Sequence, residues 1–162
     1  MGQHGMTEYY LEKLQAGLEY QDFIADQLRK ADPCIIIGAY ASRKWQNDHG
    51  ESMSGIEIKY DMLLKKTGNV YIEVAEKSNP KLTEYTASGI MRDDNTWLYL
   101  IGDYEQAFLF SKQQLKVVYA DRQRWPSRGI REKQTPTSIG FTYPIKDAMK
   151  GMCLRRFEFG HK

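Results

Sequence analysis

The sequence predicts an α/β fold in which a small mixed sheet is flanked by helices, in the order helix, strand, strand, strand, helix, strand, followed by further elements. Three observations carry this. Residues 6–31 place apolar side chains at helical spacing. Residues 35–40 and 96–101 are short apolar runs of the kind seen in strands buried on both faces. Between them, GIEIKYDMLLKKTGNVYIEVAEK (55–77) alternates apolar and polar residues on both sides of Thr67-Gly68-Asn69, which reads as a two-stranded hairpin.

The first helix starts at a Thr7 cap and stops at Asp32-Pro33. Its stripe is Leu11, Leu14, Leu18, Ala25 and Leu28, interrupted near Gln21 and Asp22. The strand at 35–40 leads into a polar loop, 41–54, that carries Arg43, Lys44, Trp45, Asp48, His49 and Glu51. After the hairpin, Asn79 as N-cap and Pro80 in the first turn predict a helix to about residue 92. TWLYLI (96–101) is the next strand, with Trp97 in the core, and 107–110 is a short one. Ser111 caps a helix containing Leu115, Val118 and Tyr119. Residues 121–137 are basic and turn-rich, and 141–143 and 154–159 are weaker strands. No repeat or long linker divides the 162 residues, so one domain is expected over 1–162, with a core at about 7–102 and a C-terminal extension at about 103–162.

With 41% hydrophobic and 27% charged residues, the composition is that of a globular chain. A net charge of +2 does not by itself demand nucleic acid, but seven Lys/Arg against Asp121 and Glu132 between 112 and 133 form a segment able to meet phosphates. Two distant cysteines, Cys34 and Cys153, exclude a zinc knuckle or a disulfide framework and fit a reducing, cytoplasmic setting. The start has no signal-peptide core, and no apolar run is long enough for a bilayer, so no membrane association is expected. Phosphate-loop, dinucleotide and nucleophile-elbow motifs are absent.

The hairpin carries the chemistry. In a three-residue loop at 67–69, opposed residue pairs set Lys59 against Lys77 and Asp61 against Ala75, with Glu73 diagonal to Asp61. Glu57, Lys59, Asp61, Glu73 and Lys77 then share a face, while Glu76 points to the other face unless a bulge turns it. A two-residue turn would separate Asp61 from Glu73. Two carboxylates beside a lysine suit a hard divalent cation, which prefers carboxylate oxygens and water, and a lysine that orients the water or offsets charge. Asp22 or Glu19 on the first helix could add a third acid. A solvated hairpin with cross-strand Lys–Glu pairs would give the same pattern.

This stretch resembles the PD-(D/E)XK nuclease superfamily, with its restriction-endonuclease-like and Holliday-junction-resolvase-like members. The resemblance spans roughly residues 7–102. It implies an α-β-β-β-α-β core and a Mg²⁺-dependent endonuclease, with Mn²⁺ as a substitute, that hydrolyses DNA phosphodiester bonds. Asp61 and Glu73 match the two strand acids that bind metal, and Asp22, or Glu19, the helix acid. The usual lysine position, two after Glu73, holds Ala75, so Lys77 or Lys59 would supply the ammonium. In a second alignment, Glu57-Ile58-Lys59 is itself the ExK, preceded by Glu51 or Asp48, as in mismatch-repair nucleases. Arg43, Lys44, Arg122, Arg124 and Arg128 would hold the DNA backbone, and a homodimer would set two sites on two strands. The alternative is a non-catalytic nucleic-acid-binding or assembly module on the same fold.

Overall fold

The structure, a computed structural model, describes residues 8–31, 52–124 and 129–160. Among them are two four-stranded sheets and four helices, so the chain is a mixed α/β protein. The first sheet has the order β1 (Ile56–Tyr60), β4 (Leu98–Gly102), β5 (Gln106–Ser111), β8 (Cys153–Glu158). In it β1 runs parallel to β4, and the other pairs are antiparallel. The second sheet is antiparallel throughout, in the order β3 (Thr86–Ala87), β2 (Asn69–Glu76), β7 (Ser138–Pro144), β6 (Arg131–Gln134). The helices are α1 (Glu8–Ala31), α2 (Leu64–Thr67), α3 (Lys112–Ala120) and α4 (Ile145–Ala148).

Two apolar clusters stack these elements into layers. Tyr20, Ile24 and Leu28 of α1 close on Ile58, Leu100 and Ala107, covering one face of the first sheet. On its other face Tyr99, Ile101, Phe108 and Phe110 meet Val70, Ile72, Val74, Phe141 and Tyr143 of the second sheet, joined by Leu64, Leu115 and Val118. Strand alternation does the rest. On β1, Ile58 faces α1, as do the partly buried Ile56 and Tyr60, so Glu57 and Lys59 face the second sheet.

The expected hairpin is not formed. β1 and β2 belong to different sheets, because residues after Asp61 turn through the single-turn helix α2 instead of continuing extended. Leu63, Leu64, Lys65 and Lys66 are good helix formers, and the Asp61 side chain accepts the Leu63 N–H at 3.0 Å. Gly68 does take the left-handed conformation expected of it, but as the cap of α2. The predicted helix after Asn79 is also replaced. Asn79 caps only a turn, through Lys81 N–H at 2.9 Å, and the chain then extends as β3 along β2 before a 3₁₀ turn at Gly89–Met91. The β2 edge offers backbone groups that an extended segment satisfies and a helix would not.

On α1 the buried face is Tyr20, Ile24 and Leu28; of the expected stripe Leu28 is buried, Leu14 and Ala25 are partly buried, and Leu11 and Leu18 are exposed. Its 24 residues span about 36 Å, about twice the reach of the five-residue β1, so the N-terminal half has no strand beneath it. Trp97, expected in the core, is exposed, and its indole N–H donates to Ser54 O at 2.9 Å. The later strands and the Ser111 cap, which accepts Gln114 N–H at 3.4 Å, agree with expectation. β6 lies within the segment read as turn-rich. The expected strand at 35–40 and the loop residues 41–51 lie outside the described residues.

Gly89 sits at φ +49° with its α-carbon pressed on β2, where an added Cβ would lie 2.2 Å from the Glu73 carbonyl oxygen. Gly68, at φ +65°, faces open space. Gly68→Ala should therefore lose about 1 kcal/mol, the cost of the left-handed region alone, and Gly89→Ala clearly more. Urea unfolding of the two variants checks this, and equal losses would contradict the close packing at Gly89.

Candidate active site

Glu57 is 3% exposed, on the β1 face that looks toward the second sheet. Lys59, two residues on and so on the same face, reaches back with Nζ 2.6 Å from Glu57 Oε1. Glu57 Oε2 is buried with no hydrogen-bond partner. Tyr99, opposite Glu57 in the parallel β1–β4 register, is also buried with an unpartnered hydroxyl. Burial first, and then the Glu57 charge, push the Tyr99 hydroxyl well above its usual range. A hydrogen bond toward Glu57 adds to the Tyr99 rise, and a carboxylate this deeply buried with a single lysine partner is an unusual and costly arrangement.

β2 brings two more carboxylates. Glu73 is held from both sides: Ser88 Oγ donates to Oε1 at 2.7 Å and Ser138 Oγ to Oε2 at 2.8 Å, and Tyr71 Oη lies 2.6 Å from Ser138 Oγ. The β2–β7 register shifts between Glu73 and Ala75. That irregularity places Glu73 opposite Gly140 and Glu76 opposite Ser138, so both glutamates share the face away from the inter-sheet core. Glu76 is exposed at the end of β2, but partial desolvation, and next the Glu73 charge, raise its carboxyl above the usual range, while Lys59 and Arg92 pull the other way and Glu57 adds to the rise. Glu76 thus feels the charges of Glu73, Lys59, Arg92 and Glu57, which puts the Glu57–Lys59 pair of the first sheet within electrostatic range of the end of β2. Beside it, Asp94 has its side chain fully buried and accepts Lys112 Nζ at 2.7 Å, and Lys112 also donates to Arg92 O at 2.7 Å. Lys112 and the Thr96 N–H bond, acting against burial, hold the Asp94 carboxyl below its usual range.

The residues singled out in the sequence divide between this cluster and other places. Lys59 and Glu73 belong to it. Asp61 accepts backbone N–H groups with both oxygens, Leu63 at 3.0 Å and Tyr71 at 2.8 Å, so it ties the end of β1 to β2. Burial raises its pKa, and Asp103 adds to that. Glu19 and Asp22 are exposed on α1, which covers the face of the first sheet away from the second. Lys77 turns away, donating to Leu82 O at 2.7 Å with its Nζ 4.6 Å from the Tyr85 ring centroid. The cross-strand meeting of Asp61, Glu73 and Lys77 expected from the hairpin therefore does not occur, because β1 and β2 are not paired.

Arg122 is locked against Glu132 at 2.6 Å and over the Tyr119 ring, and Arg124 is exposed, 3.7 Å from Asp121. Arg43, Lys44 and Arg128, together with Asp48, His49 and Glu51, lie outside the described residues. Glu76 was expected on the other face unless a bulge turned it, and the register shift does so; Arg92, Ser88, Ser138 and Tyr99 were not singled out in the sequence. The Ser88-Gly89 pair was the one local signal, since glycine there permits the approach that brings Ser88 to Glu73.

Among the described residues, no three His, Cys, Asp or Glu side chains form a group that could hold a metal ion by themselves. No described helix is long and apolar enough to cross a membrane. No known protein family, curated protein or solved structure matches the chain.

The Glu76 carboxyl is raised above 4.5 in the folded protein, so the native state holds more protons than the unfolded chain from pH 4.5 up to the raised value. Stability therefore falls as pH rises through that window. Glu76→Gln should remove this contribution, leaving the variant more stable relative to wild type at pH 7 than at pH 4. Urea unfolding at the two pH values tests it, and parallel profiles would contradict it.

Proposed function

We propose that the chain is a Mg²⁺-dependent endonuclease, able to use Mn²⁺, that hydrolyses DNA phosphodiester bonds at the Glu57–Lys59–Glu73–Glu76 cluster. The observation that carries this reading is the buried Glu57 carboxylate, paired with Lys59 through one oxygen, with the other oxygen buried beside the Tyr99 hydroxyl. It corresponds to the alignment in which Glu57-Ile58-Lys59 is the ExK of a PD-(D/E)XK nuclease. The helix α1 on β1, and β1 beside a parallel β4, are the parts of such a core that support it.

The residues fit the ion. Mg²⁺ keeps several waters and needs only one or two protein carboxylates, with substrate phosphate completing its shell. Glu57 Oε2 is a ready acceptor, and Glu73 or Glu76 would be the second. When bound, the ion lowers the pKa of a water and stabilises charge on a phosphoryl oxygen.

The chain's own groups supply the remainder. Lys59 fixes the Glu57 carboxylate and carries an ammonium able to hold a phosphate oxygen or orient water. Ser88 and Ser138 pin Glu73 from both sides. The raised Glu76 carboxyl is shifted toward the range in which a carboxyl both takes and gives a proton. A non-catalytic nucleic-acid-binding module is the second reading, favoured by the two serines that already fill both Glu73 oxygens.

Cleavage of plasmid and branched DNA decides between them. Wild type should cut with Mg²⁺ and not with EDTA. Glu57→Gln and Lys59→Met should each lose about 100-fold or more. Absence of metal-dependent cleavage by wild type, or full activity in Lys59→Met, would overturn the assignment.

A further inference from the structure

The face of the second sheet that turns away from the inter-sheet core carries Glu73 and Glu76 and extends well beyond them. Cross-strand registers put Tyr71, Thr142 and Arg131 in one row and Glu73, Gly140 and Lys133 in the next, with Glu76 and Ser138 beyond them. The helices bury their apolar residues in the two cores, so among the described residues none covers this face.

Its aromatic groups are held in place. The Tyr71 ring lies over Gly140, where an added Cβ would come 2.7 Å from Cζ, and its hydroxyl is tied to Ser138 at 2.6 Å. Tyr85 donates its hydroxyl to Thr135 O at 3.3 Å, accepts Gln134 Nε2 at 3.0 Å, and packs beneath Lys77. Both rings remain partly exposed. Arg131 and Lys133 are exposed on the edge strand and form no ion pair among the described residues.

We propose that this face is a track for single-stranded nucleic acid, in which Tyr71 and Tyr85 stack bases and Lys77, Arg131 and Lys133 meet phosphates. The inference rests on the nucleic-acid part of the reading above and names the substrate form. Pinned rings interleaved with cations that lack a carboxylate partner on an open sheet are the physical requirements for such binding. Every base has a face to stack, and the backbone supplies the anions. A duplex hides its base faces and cannot use the rings. The track runs to Glu73 and Glu76, so a bound strand would lead into the carboxylate cluster.

The test is fluorescence anisotropy of the full chain in EDTA. The probes are a labelled oligothymidylate of about 16 nucleotides and a duplex of the same length. The single strand should bind more tightly. Tyr71→Leu and Tyr85→Leu should each weaken it by about tenfold with the salt dependence unchanged. Arg131→Ser with Lys133→Ser should reduce the slope of log K against log salt by about 1.4, or about 0.7 per lost phosphate contact. A melting curve for each variant separates loss of fold from loss of contact. Equal or tighter duplex binding, no binding, or an unchanged slope in the Arg131→Ser, Lys133→Ser variant would overturn the track. Because no metal is present, cleavage without these effects would leave the catalytic cluster standing and remove the track. Strand binding without cleavage would do the reverse.

Discussion

The chain's departure from one sheet after Tyr60 and its entry into another at Asn69 set the layout of everything that follows. Asp61 fastens that step. Its carboxylate accepts N–H groups from Leu63, on the way into α2, and from Tyr71, on the exposed edge of β2. Each bond satisfies a backbone donor that has no strand partner, and hydrogen bonds to a charged acceptor are the stronger kind. Together they hold the end of one sheet against the side of the other. The Ile145 N–H bond to Gly68 O, at 3.0 Å, closes the same junction from the far side.

From this geometry the cluster follows. With β1 at the border of the first sheet and its polar face turned toward the second, Glu57 and Lys59 have no option but to approach the inter-sheet space. Burying a carboxylate against its full hydration is costly, and a single lysine whose own side chain is 40% exposed offsets only part of it. The register shift in β2 brings Glu76 round to join Glu73. Two sheets thus bring acids within electrostatic range of one another without any hairpin, and the buried, partly compensated Glu57 carboxylate is the physical reason to look for function at this point.

Much of the fold was legible. The later strands are short apolar runs, and the Ser111 cap and the glycine at 68 follow from local chemistry that tertiary context does not override. The pairing of strands was less so. Alternation around Thr67-Gly68-Asn69 has the same period whether two strands face each other or lie in separate sheets, and a four-residue helix such as Leu64–Thr67 is too brief to leave a periodic signal. The leucines of α1 have proper helical spacing, but spacing does not tell which part of a long helix meets a short strand. At the cluster, Glu57, Lys59 and Glu73 could be picked out as charged residues on strands. Glu76 required the bulge, and a bulge is a property of the paired partner, here β7, as much as of its own strand. Ser88 and Ser138 lie far from Glu73 in sequence and meet it only through the second sheet.

Calorimetric titration of Mg²⁺ into the full chain with a DNA oligonucleotide present tests the central claim most directly, with wild type and Glu57→Gln side by side. The account predicts a saturable binding event in wild type that Glu57→Gln abolishes while its melting temperature stays at or above that of wild type, since the variant removes a buried charge. Equal binding by both proteins, or none by wild type, would contradict it.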